Sequence, residues 1–173
     1  EAKDLTASLD YQSKYSSAYT KSSIADLKAI PSSQIQVDTL EPSSSRFKKF
    51  RIQLDYQRNI NRIVVSEATK ANFESFTVNG VTADFYDAND EGSSHIHTNR
   101  FQKNIIDYYV VNQVPLSFEF EVDKTQPVEF TFKEISFDLL SHPLFLVKER
   151  PEDKIPKPFI VNDAIITHQS LNL

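Results

Sequence analysis

The strongest constraint on the fold is an alternation with a period of two. In RFKKFRIQLDYQ, the residues Phe50, Ile52, Leu54 and Tyr56 alternate with Lys49, Arg51, Gln53 and Asp55. Successive side chains of a strand point to opposite faces, so one set is expected on a core and the other in water. The runs NRIVVSEA, ESFTVNGVTADF, IIDYYVV, LSFEFEVD and VEFTFKEISFDL read as further strands. Phe, Val, Ile, Tyr and Thr dominate them, as half-buried pleated surfaces favour. No long amphipathic helix is evident, and SSIADLKAIP holds only a short turn of helix ending before Pro31. The expected fold is all-β: a jelly-roll-like β-sandwich of about eight or more short antiparallel strands with little helix.

Local features refine that expectation. Asn79 and Gly80 tolerate the positive φ of a type I′ turn, which would pair Val78 with Val81 and Phe76 with Ala83. In VEFTFKEISFDL the apolar positions shift phase, from Phe130 and Phe132 to Ile135, Phe137 and Leu139. A β-bulge near Lys133–Glu134, or a bend between two sheets, would restore the inward facing. Glu119 and Glu121 alternate outward on their strand, where they suit solubility and edge protection. In the first forty residues Tyr11, Tyr15 and Tyr19 have helical spacing. Ser and Thr crowd between them, which favours two short strands near SLDYQ and SAYTKS.

The C-terminal stretch carries Pro151, Pro156 and Pro158, then recovers an apolar pattern. Proline favours extended backbone and cannot donate to a central ladder. Residues 150–173 are therefore expected as a strap plus a last strand, packed on a single domain that spans residues 1–173. Ile155 and Phe159 would face in, Asn162–Asp163 would turn the chain, and Ala164–His168 would form the strand.

Composition removes several function classes. The net charge of −5 argues against a general nucleic-acid binder. With two glycines there is no phosphate-cradling or dinucleotide loop, and with no cysteine there is neither a disulfide framework nor a thiolate metal site. The chain begins Glu-Ala-Lys and contains no methionine, as a mature product or an excised fragment would.

The loop DANDEGSSHIHTNR is the richest polar cluster. Asp87, Asn89, Glu91 and Gly92 match the start of a calcium loop, but Thr98 stands where a bidentate Glu is needed. His95 and His97 at i, i+2 would share one strand face, which zinc could use with Asp87 or Asp90 as a third ligand. The plainer reading is a solvated turn leading into a strand. Such a metalloenzyme would still be testable by elemental content. Nothing surrounds the serines, His142 or His168 in the manner of a nucleophile elbow. The basic run Arg46, Lys48, Lys49 and Arg51 reads as a solvated strand face rather than a phosphate-binding surface.

The block PLSFEFEVDKTQPVEFTFKEISFDLLSHPLFLVKERPEDKIPKPFIVNDAIITHQSL resembles the extreme C-terminus of bacterial membrane-embedded zinc peptidases of the aminopeptidase Y type. EISFDLL, HPLF and above all RPEDKIPKPFIVNDAII carry the resemblance, the last through Arg150, Pro151, Pro156, Pro158, Phe159, Asn162 and Asp163. Upstream, RFKKFRIQLDYQRNINRIVVSEATKANFESFTVNG is similar to the strand succession of that domain, ending in Asn79 and Gly80. SLDYQSKYSSAYTKSS looks like its opening hairpin, with Tyr19 where such domains often carry Trp. The resemblance implies a soluble extracytoplasmic (periplasmic-side) domain, tethered by transmembrane helices of the same polypeptide. It implies zinc only in the absent peptidase domain, and no catalytic, cofactor or metal residue carries over to this chain. The expected role is a non-catalytic accessory or interaction domain that packs on the peptidase domain or assists with peptide substrates. The alternative is a stand-alone carbohydrate- or peptide-binding sandwich module.

Overall fold

The computed structural model describes residues 28–82, 104–146, 151–153, 155 and 163–173. Nine strands and no helix occur among them: β1 (Gln34–Leu40), β2 (Phe47–Asp55), β3 (Arg62–Glu67), β4 (Phe73–Val78), β5 (Val81–Thr82), β6 (Asn104–Tyr109), β7 (Ser117–Asp123), β8 (Glu129–Ser136) and β9 (Ile165–Asn172). They form two antiparallel sheets, ordered β1-β2-β7-β4-β5 and β6-β3-β8-β9. Neither sheet closes on itself, and the architecture is a β-sandwich. The chain crosses between the sheets repeatedly, so β2, β7, β4 and β5 lie in one and β3, β8 and β6 in the other, an interleaving of the jelly-roll kind.

The alternation in β2 does what period two demands. Ile52 and Leu54 are fully buried, while Asp55 is exposed. In β7, Phe118, Phe120 and Val122 point into the core. Phe130 and Phe132 of β8 meet them from the other sheet, with Phe120 and Phe130 edge-on at 5.2 Å and Phe118 and Phe130 edge-on at 5.5 Å. Phe73 and Phe76 of β4 complete a cluster of buried rings whose edge-to-face contacts add to the area they bury.

Two departures from strict alternation are resolved differently. Phe73 and Phe76 are three apart, yet both are buried. A bulge against β7 between Phe73 and Ser75 takes up the extra residue, Glu74, and turns both rings inward. The bulge expected at Lys133–Glu134 is absent, because β8 keeps an unbroken register with both β3 and β9. Glu134 therefore continues the inward row of Phe130 and Phe132 and is fully buried. Ile135, on the opposite face, is buried as well.

Glu119 and Glu121 also depart from expectation. Their strand, β7, lies in the middle of its sheet, so they protect no edge. Glu119 pairs with Arg51 across the ladder at 2.6 Å. Glu121 is 3% exposed: the loop after β1 folds over it, and its Oε1 accepts from the Ser43 amide at 2.7 Å and hydroxyl at 2.6 Å. The basic run is likewise interleaved with acid. The Arg46 guanidinium beside Asp123 holds that carboxyl well below the usual range.

The Asn79–Gly80 turn forms as expected, with φ of 48° and 79° and Val78 opposite Val81. Ala83 lies outside the described residues, as do both N-terminal strands and residues 22–27 of the proposed helical turn. β1, QIQVDTL, is a strand that was not anticipated. The last strand, expected over Ala164–His168, runs over Ile165–Asn172.

Candidate functional site

Register places the β2–β3 turn, the β4–β5 turn, the β6–β7 loop and the entry to β1 at one end of the sandwich. There an open cleft of about 380 Å³ lies between the β2–β3 turn and the β6–β7 loop. Its walls include Asp55, Tyr56, Gln57, Arg58, Asn59 and Gln113.

Each wall is locked by hydrogen bonds between segments far apart in sequence. The Tyr56 hydroxyl donates to the Val114 carbonyl at 3.1 Å and accepts from the Leu116 amide at 2.8 Å. Burial pushes its phenol up to about 12, against the opposing effect of the Leu116 amide. The Tyr108 hydroxyl donates to the same Val114 carbonyl at 3.2 Å and accepts from Asn79 Nδ2 at 3.1 Å. Gln113 behaves like a strand partner for Ile60: its Oε1 accepts from the Ile60 amide at 3.1 Å, and its Nε2 donates to the Ile60 carbonyl at 3.0 Å. Asn112 and Gln113 both have positive φ, 52° and 55°, a strained pair for residues with side chains.

Arg58 reaches inward from the cleft wall. Its Nε donates to the Pro31 carbonyl at 3.1 Å, its Nη1 to the Ser136 hydroxyl, and its Nη2 to Thr167 Oγ1 at 3.3 Å. Nη2 stands 4.0 Å from Glu134 Oε2. The Glu134 carboxylate accepts from the Ser33 amide at 3.0 Å and from Gln169 Nε2 at 3.1 Å. The Ser136 hydroxyl in turn donates to Asp138 at 2.6 Å. Burial lowers the Arg58 pKa, while Glu134 and Asp138 oppose that shift. The cluster ties together the entry to β1, the β2–β3 turn, β8 and β9. Chemically it is a clamp, with the ionisable atoms of Glu134 and Arg58 already engaged. Beside it, Ser33 Oγ is a buried polar atom without a partner.

Those residues singled out from sequence that lie among the described ones are scattered rather than gathered. Asn79 and Gly80 sit at the β4–β5 turn, where Asn79 also receives the Ser117 amide on Oδ1 at 2.7 Å. Asp163 has a φ of 51° and its carbonyl accepts from the Leu139 amide at 3.2 Å, so the turn before β9 is partly visible. Pro151 is exposed. Ile155, expected to face in, is 85% exposed: at that point the strap carries its side chain into solvent. Asp87, Asp90, His95, His97, Arg150, Pro156, Pro158, Phe159 and Asn162 lie outside the described residues. Among the described residues no group of three His, Cys, Asp or Glu side chains is placed to hold a metal ion. None of their segments is a helix long and apolar enough to cross a membrane.

Arg58, Glu134, Tyr56 and Gln113 were not singled out from sequence. Only Glu134 left a signal, an apolar row whose phase breaks at a carboxylate. Comparison with known proteins adds no relative: no family model, no curated protein and no solved structure matches the chain.

Proposed function

We propose that this chain is a non-catalytic accessory and interaction domain. In this reading it belongs to the C-terminus of a membrane-bound zinc-dependent aminopeptidase, on the extracytoplasmic side of a bacterial membrane. It packs against the peptidase domain or assists peptide handling there. Zinc belongs to that other domain, and no residue of this chain is assigned to it.

The observation that carries the non-catalytic part is the fate of the buried ionisable groups. Among the described residues, Glu67, Glu121 and Glu134 each accept hydrogen bonds from fixed neighbours, and Arg58 is held by Glu134 and its surroundings. A general acid, base or nucleophile needs a titrating group turned toward a substrate, and these are turned into the fold. The parentage rests on the resemblance of RPEDKIPKPFIVNDAII and the strands before it.

The direct test is the polypeptide encoded immediately upstream of Glu1. Several hydrophobic spans preceded by zinc-ligand motifs are expected. An upstream region with neither overturns the parentage. The first alternative, a stand-alone module, draws on the cleft with its exposed Asp55, Gln57 and Asn59. Titration of the isolated chain with glycan and peptide panels separates the two, since saturable binding would favour the module.

A further inference from the structure

We propose that Asn79 is a deamidation site that the fold holds closed, so that its conversion to aspartate or isoaspartate is gated by opening of the β4–β5 turn. Asn followed by Gly is the pair most prone to this reaction, because no side chain on the second residue shields its backbone nitrogen. Asn is accordingly among the thermolabile residues. The Gly80 nitrogen attacks Asn79 Cγ. An N–C bond forms, the Cγ–Nδ2 bond breaks, and ammonia leaves with the proton of the Gly80 amide. Water then opens the five-membered imide at either carbonyl, giving aspartate or isoaspartate. Both residues are exposed, so water, the one co-reactant, reaches them.

The folded turn opposes the first step in two ways. Ring closure needs Asn79 Cβ and the Gly80 nitrogen on the same side of the Cα–C bond. With φ of 48° and 79°, and Val78 opposite Val81, the two residues make a type I′ turn. Such a turn sets ψ near about +30° at its first central residue, which puts the two atoms on opposite sides. The side chain is held as well. Asn79 Oδ1 accepts from the Ser117 amide at 2.7 Å, while the Asn79 amide donates to the Ser117 carbonyl at 2.7 Å. The carboxamide oxygen thus extends the β4–β7 ladder by one bond. Nδ2 donates to the Tyr108 hydroxyl at 3.1 Å, which ties the turn to β6 of the other sheet. To cyclise, Asn79 must rotate about Cα–C and release both partners.

The products do not restore these contacts. A carboxylate has no proton to donate to the Tyr108 hydroxyl, whose own proton is given to the Val114 carbonyl. Isoaspartate also adds a methylene to the main chain, which a two-residue turn does not accommodate. Deamidation therefore severs the side-chain link between the β4–β5 turn and β6, at the end of the sandwich that carries the cleft.

Timed peptide mapping of the full chain, folded and in concentrated urea, tests this, with isoaspartate scored at residue 79. The folded chain should react at least about tenfold more slowly than the unfolded one. Tyr108→Phe keeps the ring and removes one of the two side-chain contacts. It should speed the folded reaction about three- to tenfold and leave the rate in urea unchanged. Exchange of the Ser117 amide gives a reading independent of any variant, because the same opening frees that proton. Its protection should match the ratio of unfolded to folded deamidation rates. Equal rates in the two states, or Tyr108→Phe reacting no faster than the unmodified folded chain, would overturn the proposal. So would a Ser117 amide that exchanges freely while Asn79 stays intact.

Discussion

Glu134 shows how one residue can hold several elements. It is fully buried on the inward row of β8, and its partners come from the entry to β1, the β2–β3 turn and β9. Removing Glu134 leaves the Arg58 charge uncompensated in the fold and the Ser33 amide and Gln169 amide group without that carboxylate as acceptor. Glu134→Ala should therefore cost on the order of 3–5 kcal/mol, read as a drop in the urea midpoint. A cost under about 1 kcal/mol would place the cluster with surface ion pairs instead. Tyr56 supplies a pH dependence. Its phenol is raised to about 12 in the folded chain, against about 10 in the unfolded one. A raised folded-state pKa means the contribution is complete below the unfolded value and is lost as pH rises through the folded one. Stability should fall between about pH 10 and pH 12. Tyr56→Phe should be less stable at pH 8 by about 1–2 kcal/mol, since the Leu116 amide loses its acceptor. The gap between the two proteins should narrow above pH 10. A constant gap across that range would contradict the assignment.

At the scale of elements, the turn between β4 and β5 gives a clean comparison. Gly80 has a φ of 79°, and a Cβ built there meets nothing within 4 Å. Gly80→Ala should then cost about 1 kcal/mol through backbone strain alone. Its thermal midpoint should fall with the core unchanged by near-ultraviolet circular dichroism. Such turns and strands are where the sequence is most readable. Runs such as Phe118-Glu119-Phe120 announce a strand, and Asn-Gly announces its turn, because both signals are local. β1 is not framed in the sequence: in QIQVDTL Ile35 and Val37 alternate with Gln and Asp, but no Gly, Asn or Asp turn signal marks its start. The bulges were not legible. Odd spacing between buried residues can be absorbed by a bulge, as at Glu74, or by burying a polar side chain, as at Glu134. Which solution wins depends on partners far away in sequence: Ser33 and Gln169 must arrive before burial of Glu134 is tolerable. The cleft has the same character, since Tyr56 and Gln113 find partners only once the β6–β7 loop is folded against the β2–β3 turn.

The whole molecule is built from long-range pairings. Ile52 pairs with Phe118, Val65 with Phe132, and Phe130 with Leu171. The core thus needs strands from distant parts of the chain before any ring is buried on both sides, which places folding in the slow, millisecond-to-second range of β-sandwiches. β9 is the last strand in chain order among the described residues, and it covers one flank of the second sheet. Leu171 packs against the core beside Phe130, and Thr167 and Gln169 serve Glu134. A chain ending at residue 162 should lose its cooperative thermal transition, because Phe130, Phe132 and Glu134 are left on an uncovered edge. Supplying a peptide of residues 163–173 in trans should restore the transition in proportion to its concentration, since strand addition supplies both the backbone ladder and the missing side chains. A truncated chain that melts at the temperature of the full one would show that β9 adorns the sheet without completing it. Restoration by a peptide carrying Thr167→Val and Gln169→Leu as readily as by the native one would separate the ladder from the clamp, and assign the stability to the ladder.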